Sequence, residues 1–145
     1  MRIIITLLVL LTINIQMQAQ KSSKKIKGDG NHTTTTRNVS DFEKIEVSGS
    51  FDVELIKGNE GNITINTDAN LMEYIITEVK KGKLQIKTEK GIQIKPTRKI
   101  KITLTFESMN AIAMAGSGNI HSSGQIESND LKLSLAGSGD MDLKV

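Results

Sequence analysis

Two histidines, two pairs of carboxylates and two serines set between glycines are the residues whose types could do chemistry in this chain. Asp52 with Glu54, and Asp140 with Asp142, are each spaced by two, which in an extended strand puts both carboxylates on one face. Such a pair could work as acid and base or hold Ca²⁺, but alternating charge is also the ordinary solvent face of a strand. His32 and His121 share no motif that would bring them together, so neither points to a metal site. Ser117 and Ser138 each stand in Gly-Ser-Gly, whereas a nucleophile elbow needs Gly-x-Ser-x-Gly between a strand and a helix. Neither tripeptide is followed by the lysine and helix of a phosphate loop. The calcium-binding nonapeptide of β-rolls would need Asp two residues after the second glycine, where Ile120 and Met141 stand. The sequence therefore calls for no catalytic set, no metal and no cofactor, and turns are the reading left for the two serines.

The elements that would carry these residues are short strands. With 145 residues the chain holds one domain at most, and 37% hydrophobic residues argue against disorder throughout. It has no Cys or Trp and only four aromatics, Phe42, Phe51, Tyr74 and Phe106, so its core must be thin and built on Ile, Leu, Val and Met. Zero Cys excludes a disulfide framework and a thiolate metal site. Met1-Arg2 precedes the apolar run Ile3 to Ile15, too short to span a bilayer and followed by a polar exit ending in Ala19. We read residues 1–19 as a secretory signal peptide, with no membrane span after its cleavage. Residues 20–37, Lys-rich and then punctuated by Gly28-Asp29-Gly30, read as a flexible polar leader.

From residue 38 to 145 the chain reads as one β domain. Ile45 and Val47, Val53 and Leu55, Ile63 and Ile65, Leu84 and Ile86, Ile92 and Ile94, and Ile100 to Phe106 alternate with polar residues between Gly and Asn punctuation. Ile112 with Met114, Leu131 to Leu135, and Met141 to Val145 continue the pattern. Asn70-Leu71-Met72-Glu73 approximates a capping box, but the β-branched run Ile75, Ile76, Thr77 and Val79 favours strand beyond one turn. A helical turn at Asn70 to Tyr74, strand to Lys80 and a tight turn at Lys81-Gly82 are expected. An internal repeat stands out. Met114-Ala115-Gly116-Ser117-Gly118-Asn119-Ile120 returns as Leu135-Ala136-Gly137-Ser138-Gly139-Asp140-Met141, 21 residues on, and Val47-Ser48-Gly49-Ser50-Phe51-Asp52-Val53 is a weaker copy. Spacing of this size predicts an all-β, β-helix-like stack, its glycines at corners where a neighbouring coil approaches closely. In successive coils Asn119 and Asp140 would be neighbours, and Ser117, Asn119, Ser138 and Asp140 are the candidate binding residues.

These residues resemble a known family. Ser40-Asp41-Phe42-Glu43-Lys44-Ile45-Glu46-Val47, Asp52-Val53-Glu54-Leu55, Asn70-Leu71-Met72-Glu73-Tyr74 and the two Gly-Ser-Gly heptapeptides are similar to the head GIN domain of putative auto-transporter adhesins. The resemblance implies a stack of short strands displayed at the cell envelope, and no active site. Domains of that family run to further coils, so an open last edge at Val145, a C-terminally truncated stack and self-association through that edge are expectations here.

Charge is uneven. Between Lys80 and Lys101 nine basic residues face a single acid, Glu89. That stretch is either a cationic face for anionic glycans or lipid head groups, or a solvated strand face. Export and the scarcity of aromatics to stack bases argue against nucleic acid. The leading expectation is an exported, non-enzymatic domain in the periplasm, at the outer-membrane surface or outside the cell, binding a glycan or surface protein. The alternatives are a polysaccharide-degrading β-helix enzyme, using Asp140 and Asp142, and a self-assembling envelope domain.

Overall fold

The computed structural model describes residues 23–145, so the expected signal peptide lies outside the described residues. Among the described residues thirteen strands run in chain order: β1 Lys24–Lys27, β2 His32–Asn38, β3 Lys44–Ser48, β4 Phe51–Lys57, β5 Asn62–Asp68, β6 Ile75–Lys80, β7 Lys83–Thr88, β8 Ile92–Lys95, β9 Ile100–Phe106, β10 Ala111–Gly116, β11 Asn119–Gln125, β12 Lys132–Gly137 and β13 Asp140–Lys144. Most form two sheets. One has the order β12-β10-β3-β7-β6, the other β13-β11-β4-β9-β5-β2, and β1 pairs with β8 alone.

The repeat explains the architecture. Each heptapeptide turns the chain from one sheet into the other, so β3-β4, β10-β11 and β12-β13 are three coils, each giving one strand to each sheet. Their strands pair in parallel with the three heptapeptides in register, Val47 beside Met114 beside Leu135, and Asp52 beside Asn119 beside Asp140. The expected neighbourhood of Asn119 and Asp140 is therefore present. β7 and β9 make a fourth coil on the other flank of β3-β4, its corner enlarged by β8. Stacking order is thus not chain order, because the first coil, β3-β4, lies in the middle. At the β7-β9 end, β5 and β2 in one sheet and β6 in the other pair antiparallel.

Glycine is required at the corners for a steric reason. Gly49, Gly116 and Gly137 have φ of 137°, 143° and 120°, and a Cβ on Gly116 or Gly137 would strike the carbonyl oxygen of the glycine in the coil beside it. A second column runs Phe51, Gly118, Gly139, where a Cβ on either glycine would strike the preceding carbonyl. Only residues without side chains let the coils approach so closely.

Inward-facing residues of both sheets form one hydrophobic cluster, including Ile45, Val47, Val53, Leu55, Ile86, Ile102, Leu104, Ile112 and Ile120. Each such fully buried side chain contributes about 1.5–3 kcal/mol. Three of the few aromatics, Phe42, Phe51 and Phe106, are buried too, so rings join the aliphatic core that composition alone predicts. The two ends of the stack differ. At the β2-β6 end, Arg37 reaches from β2 to the carbonyl oxygens of Ile75 (2.6 Å) and Met72 (2.9 Å) and the hydroxyl of Thr77 (3.1 Å), tying the sheets together. At the β12-β13 end, Leu133 and Leu135 are 51% and 46% exposed.

The segment Ala69–Tyr74 is a 3₁₀ helix followed by strand to Lys80, and positive φ at Lys81 (51°) and Gly82 (70°) makes the tight turn, as expected. Asn70 is not its cap. Its side chain instead accepts from the Asp29 amide (3.0 Å) and donates to the Lys27 carbonyl (2.8 Å). A correction falls on the leader. Within residues 20–37, read as a flexible leader, residues 24–27 form strand β1 and residues 32–37 form all of strand β2 but its last residue, because β8 and β5 give their backbones partners that no local pattern announces. Among the described residues no helix is long and apolar enough to cross a membrane.

Candidate functional site

Strand alternation that buries Val53, Ile102 and Ile120 turns their neighbours outward, and parallel register lines those neighbours up across the six-stranded sheet. One row runs Asp140, Asn119, Asp52, Lys101, Asn66, Thr34, and the next runs Asp142, His121, Glu54, Thr103, Thr64, Thr36. The result is a polar face whose one ring is the His121 imidazole and which has no long apolar side chain in either row. Neighbours along the rows bond to each other. Asn119 Nδ2 donates to Asp52 Oδ1 (3.3 Å), the Asp140 amide donates to Asn119 Oδ1 (3.3 Å), and Asn66 Nδ2 donates to Thr34 Oγ1 (2.7 Å). The Thr36 and Thr64 hydroxyls are 3.4 Å apart, His121 Nδ1 lies 3.1 Å from Asp142 Oδ2, and Lys99 pairs with Asp52 at 3.3 Å. A shallow depression of about 350 Å³ opens on this face, lined by Asp52, Glu54, Lys101, Thr103, Asn119 and His121 among others.

Of the four candidate binding residues, Asn119 and Asp140 are adjacent in one row, while Ser117 and Ser138 sit exposed at the corner. There the Ser138 amide donates to the Gly116 carbonyl (3.1 Å), a coil-to-coil bond that fits the turn reading. Asp140 and Asp142 share the outer side of β13 as their spacing predicts, both exposed with no wall around them. His32 and His121 lie on β2 and β11, four strands apart in the sheet. Among the described residues no three His, Asp or Glu side chains converge in a way that could hold a metal.

Sequence reasoning missed one charged centre altogether. Asp68 closes β5 with its side chain fully buried, accepting from the Gly30 amide (2.9 Å), the Thr97 amide (2.8 Å) and the Thr97 hydroxyl (2.6 Å), with His32 Nε2 at 3.9 Å. Burial by itself raises its pKa, but the Thr97 donors, the Gly30 amide and His32 outweigh it and hold the carboxyl below its ordinary value. Gly28 leaves the room, since a Cβ there would collide with the carboxylate. Asp68 and Asn70 together pin the segment carrying β1 to the body. Glycine on both sides of Asp29 was the available signal, although Asp68, 38 residues from Gly30, was not legible as the partner of the Gly30 amide.

A family model described as "Putative auto-transporter adhesin, head GIN domain" matches residues 41–145. No curated protein matches the chain. Among solved structures it is similar to a "putative lipid binding protein" of Parabacteroides distasonis, with 30% identity and a TM-score of 0.74 over 81% of this chain and 51% of that one. Two structures described as putative adhesins share the fold. The one from Bacteroides fragilis is 22% identical with a TM-score of 0.74 over 81% of this chain and 55% of that one. The one from Parabacteroides merdae is 21% identical with a TM-score of 0.70 over 77% and 47%. The chain spans about half the length of these relatives.

Proposed function

The chain belongs to the head GIN domain family of putative auto-transporter adhesins, and from that membership we propose that it is an exported, non-enzymatic envelope or surface domain that binds a glycan or protein partner across the outer face of its six-stranded sheet. The observation that carries this reading is the pair of polar rows. Asn, Thr and Asp side chains repeat at strand spacing, about 4.8 Å, across six strands on a rigid stack, and offer donors and acceptors to an extended ligand at little ordering cost. Asn119 and Asp140 belong to that face, and Ser117 and Ser138 border it. The carboxylates Asp140 and Asp142 lie open to water, which favours binding over the dry, enclosed setting that acid catalysis exploits. Screening the purified chain against envelope glycans and whole cells should give binding that Thr64→Arg with Thr103→Arg reduces about tenfold or more by blocking the rows. Binding no higher than background, or unchanged in that variant, would refute the face as the site.

A second reading has its own observation. Leu133 and Leu135 on β12 form an apolar surface of the kind a neighbouring coil covers elsewhere in the stack, so a further coil or a second copy of the chain would fit there.

A further inference from the structure

Lysines from the N-terminal segment and from the basic stretch between Lys80 and Lys101 meet on one strap. β1 pairs with β8 in parallel, setting Lys24 beside Ile92, Lys25 beside Gln93, Ile26 beside Ile94 and Lys27 beside Lys95. Lys25 and Lys27 therefore share one side of the strap, about 7 Å apart along β1, with Lys95 about 4.8 Å across from Lys27. Lys90 precedes β8 and Arg98 follows it, and all five are exposed. None makes an ion pair among the described residues, whereas Lys80, Lys83, Lys87 and Lys99 elsewhere do. Of the nearby acids, Asp29 is occupied, both its oxygens accepting from Asn31, and Glu89, beside Lys90, is a single exposed carboxylate against the five cations. Like charges set side by side in a ladder are destabilising, so this arrangement is held against its own repulsion. What holds it is the buried Asp68 with the Gly30 and Thr97 amides, together with Asn70 on Asp29 and Lys27.

From this placement we infer that the β1-β8 strap is a binding track for acidic polysaccharide, a linear chain carrying carboxylate or sulfate groups. The track is a narrow two-strand ridge of point charges, mostly Lys, which suits spaced anions along a polymer more than the paired, fork-shaped recognition that Arg supplies. A membrane would call for apolar side chains to enter below the head groups, and among the described residues the exposed large hydrophobics are Leu133, Leu135 and Val145, on or just beyond the coil at the far end of the stack. Neutral sugars and bases would call for rows of exposed rings, whereas the three phenylalanines are buried and Tyr74, half-buried where its carbonyl accepts from the Glu89 amide, is a single ring beside the strap. The inference rests on reading the chain as a binding domain but uses a different surface from the sheet face.

The test is binding of the full chain to alginate, dextran sulfate, neutral dextran, and vesicles of equal phosphatidylglycerol and phosphatidylcholine, at about 50 and about 300 mM salt. Alginate and dextran sulfate should bind at low salt, weaken about tenfold or more at high salt, and lose about tenfold or more on Lys25→Gln with Lys27→Gln and Lys95→Gln. The same charge removed elsewhere, by Lys81→Gln with Lys132→Gln and Lys144→Gln, should change little. Equal loss in both triple variants, equal binding of neutral dextran, or tighter binding to the vesicles than to either polymer would overturn the inference. The Thr64→Arg with Thr103→Arg variant separates the two surfaces. If it keeps polymer binding, the strap stands whatever becomes of the sheet face, and if it alone abolishes polymer binding, the strap is refuted.

Discussion

Replacing Asp68 with Ala should loosen the strap and cost the protein a large part of its stability. The carboxylate is fully buried and takes three hydrogen bonds, from the amides of Gly30 and Thr97 and from the Thr97 hydroxyl. Its removal leaves those donors unsatisfied at about 1–3 kcal/mol each when no water reaches them. Gly30 and Thr97 lie in exposed segments, so water entering behind a displaced strap would recover part of the loss. Two donors at full cost gives about 2–6 kcal/mol, against a usual total of about 5–15 kcal/mol. Asp68→Asn keeps one acceptor oxygen and should lose less, about 1–2 kcal/mol. Urea unfolding followed by circular dichroism gives the free energies, and amide exchange at Gly30 and Thr97 locates the effect. The pH dependence has a definite sign. A carboxyl held below its ordinary value in the fold stabilises fully above that ordinary value, near 4, and the contribution disappears as pH falls through the lower folded value. The gap between wild type and Asp68→Ala should therefore be flat from about pH 7 to 5 and close in stronger acid. A deficit under about 0.5 kcal/mol at neutral pH, or faster exchange spread evenly over the core strands, would refute the latch.

Two further outcomes follow from the stack. Gly116→Ala combines a strained φ of 143° with a collision against the Gly49 backbone, and should cost about 3 kcal/mol or more, whereas Gly58→Ala, which meets nothing, should fall within about 0.5 kcal/mol. Equal effects in urea unfolding would refute the corner account. Leu133→Asp with Leu135→Asp changes two half-exposed side chains, so stability should fall by only about 1.5–3 kcal/mol while self-association, read by sedimentation at rising concentration, falls. A wild type that stays monomeric throughout would remove the end of the stack as an assembly surface.

Much of the fold was legible because its signals are local. Alternation at Ile45 and Val47, or at Ile100 to Phe106, marks a strand with one face buried whatever it pairs with. The heptapeptides marked corners, and their 21-residue separation placed Asn119 beside Asp140. Strand β2 was not legible. Its run of threonines has no apolar face to display, and only the seven-residue pairing with β5 makes it a strand. The first coil's place in the middle of the stack was equally hidden, since β3 and β4 pair with later strands on both flanks and alternation does not say which.

The sequence by itself determined an all-β chain, the position of most of its strands and of its corners, and its family resemblance. Those properties rest on side-chain period and on where glycine is tolerated, which neighbours along the chain dictate. Only the tertiary structure decided that Asp68 is buried under the Gly30 turn, that Thr34, Thr64 and Thr103 share a face with Asn119, and that Lys25 and Lys27 stand beside Lys95. Each of these joins segments roughly 30 to 70 residues apart by backbone pairing or by a single buried side chain, and alternation carries no information about which partner a strand will take.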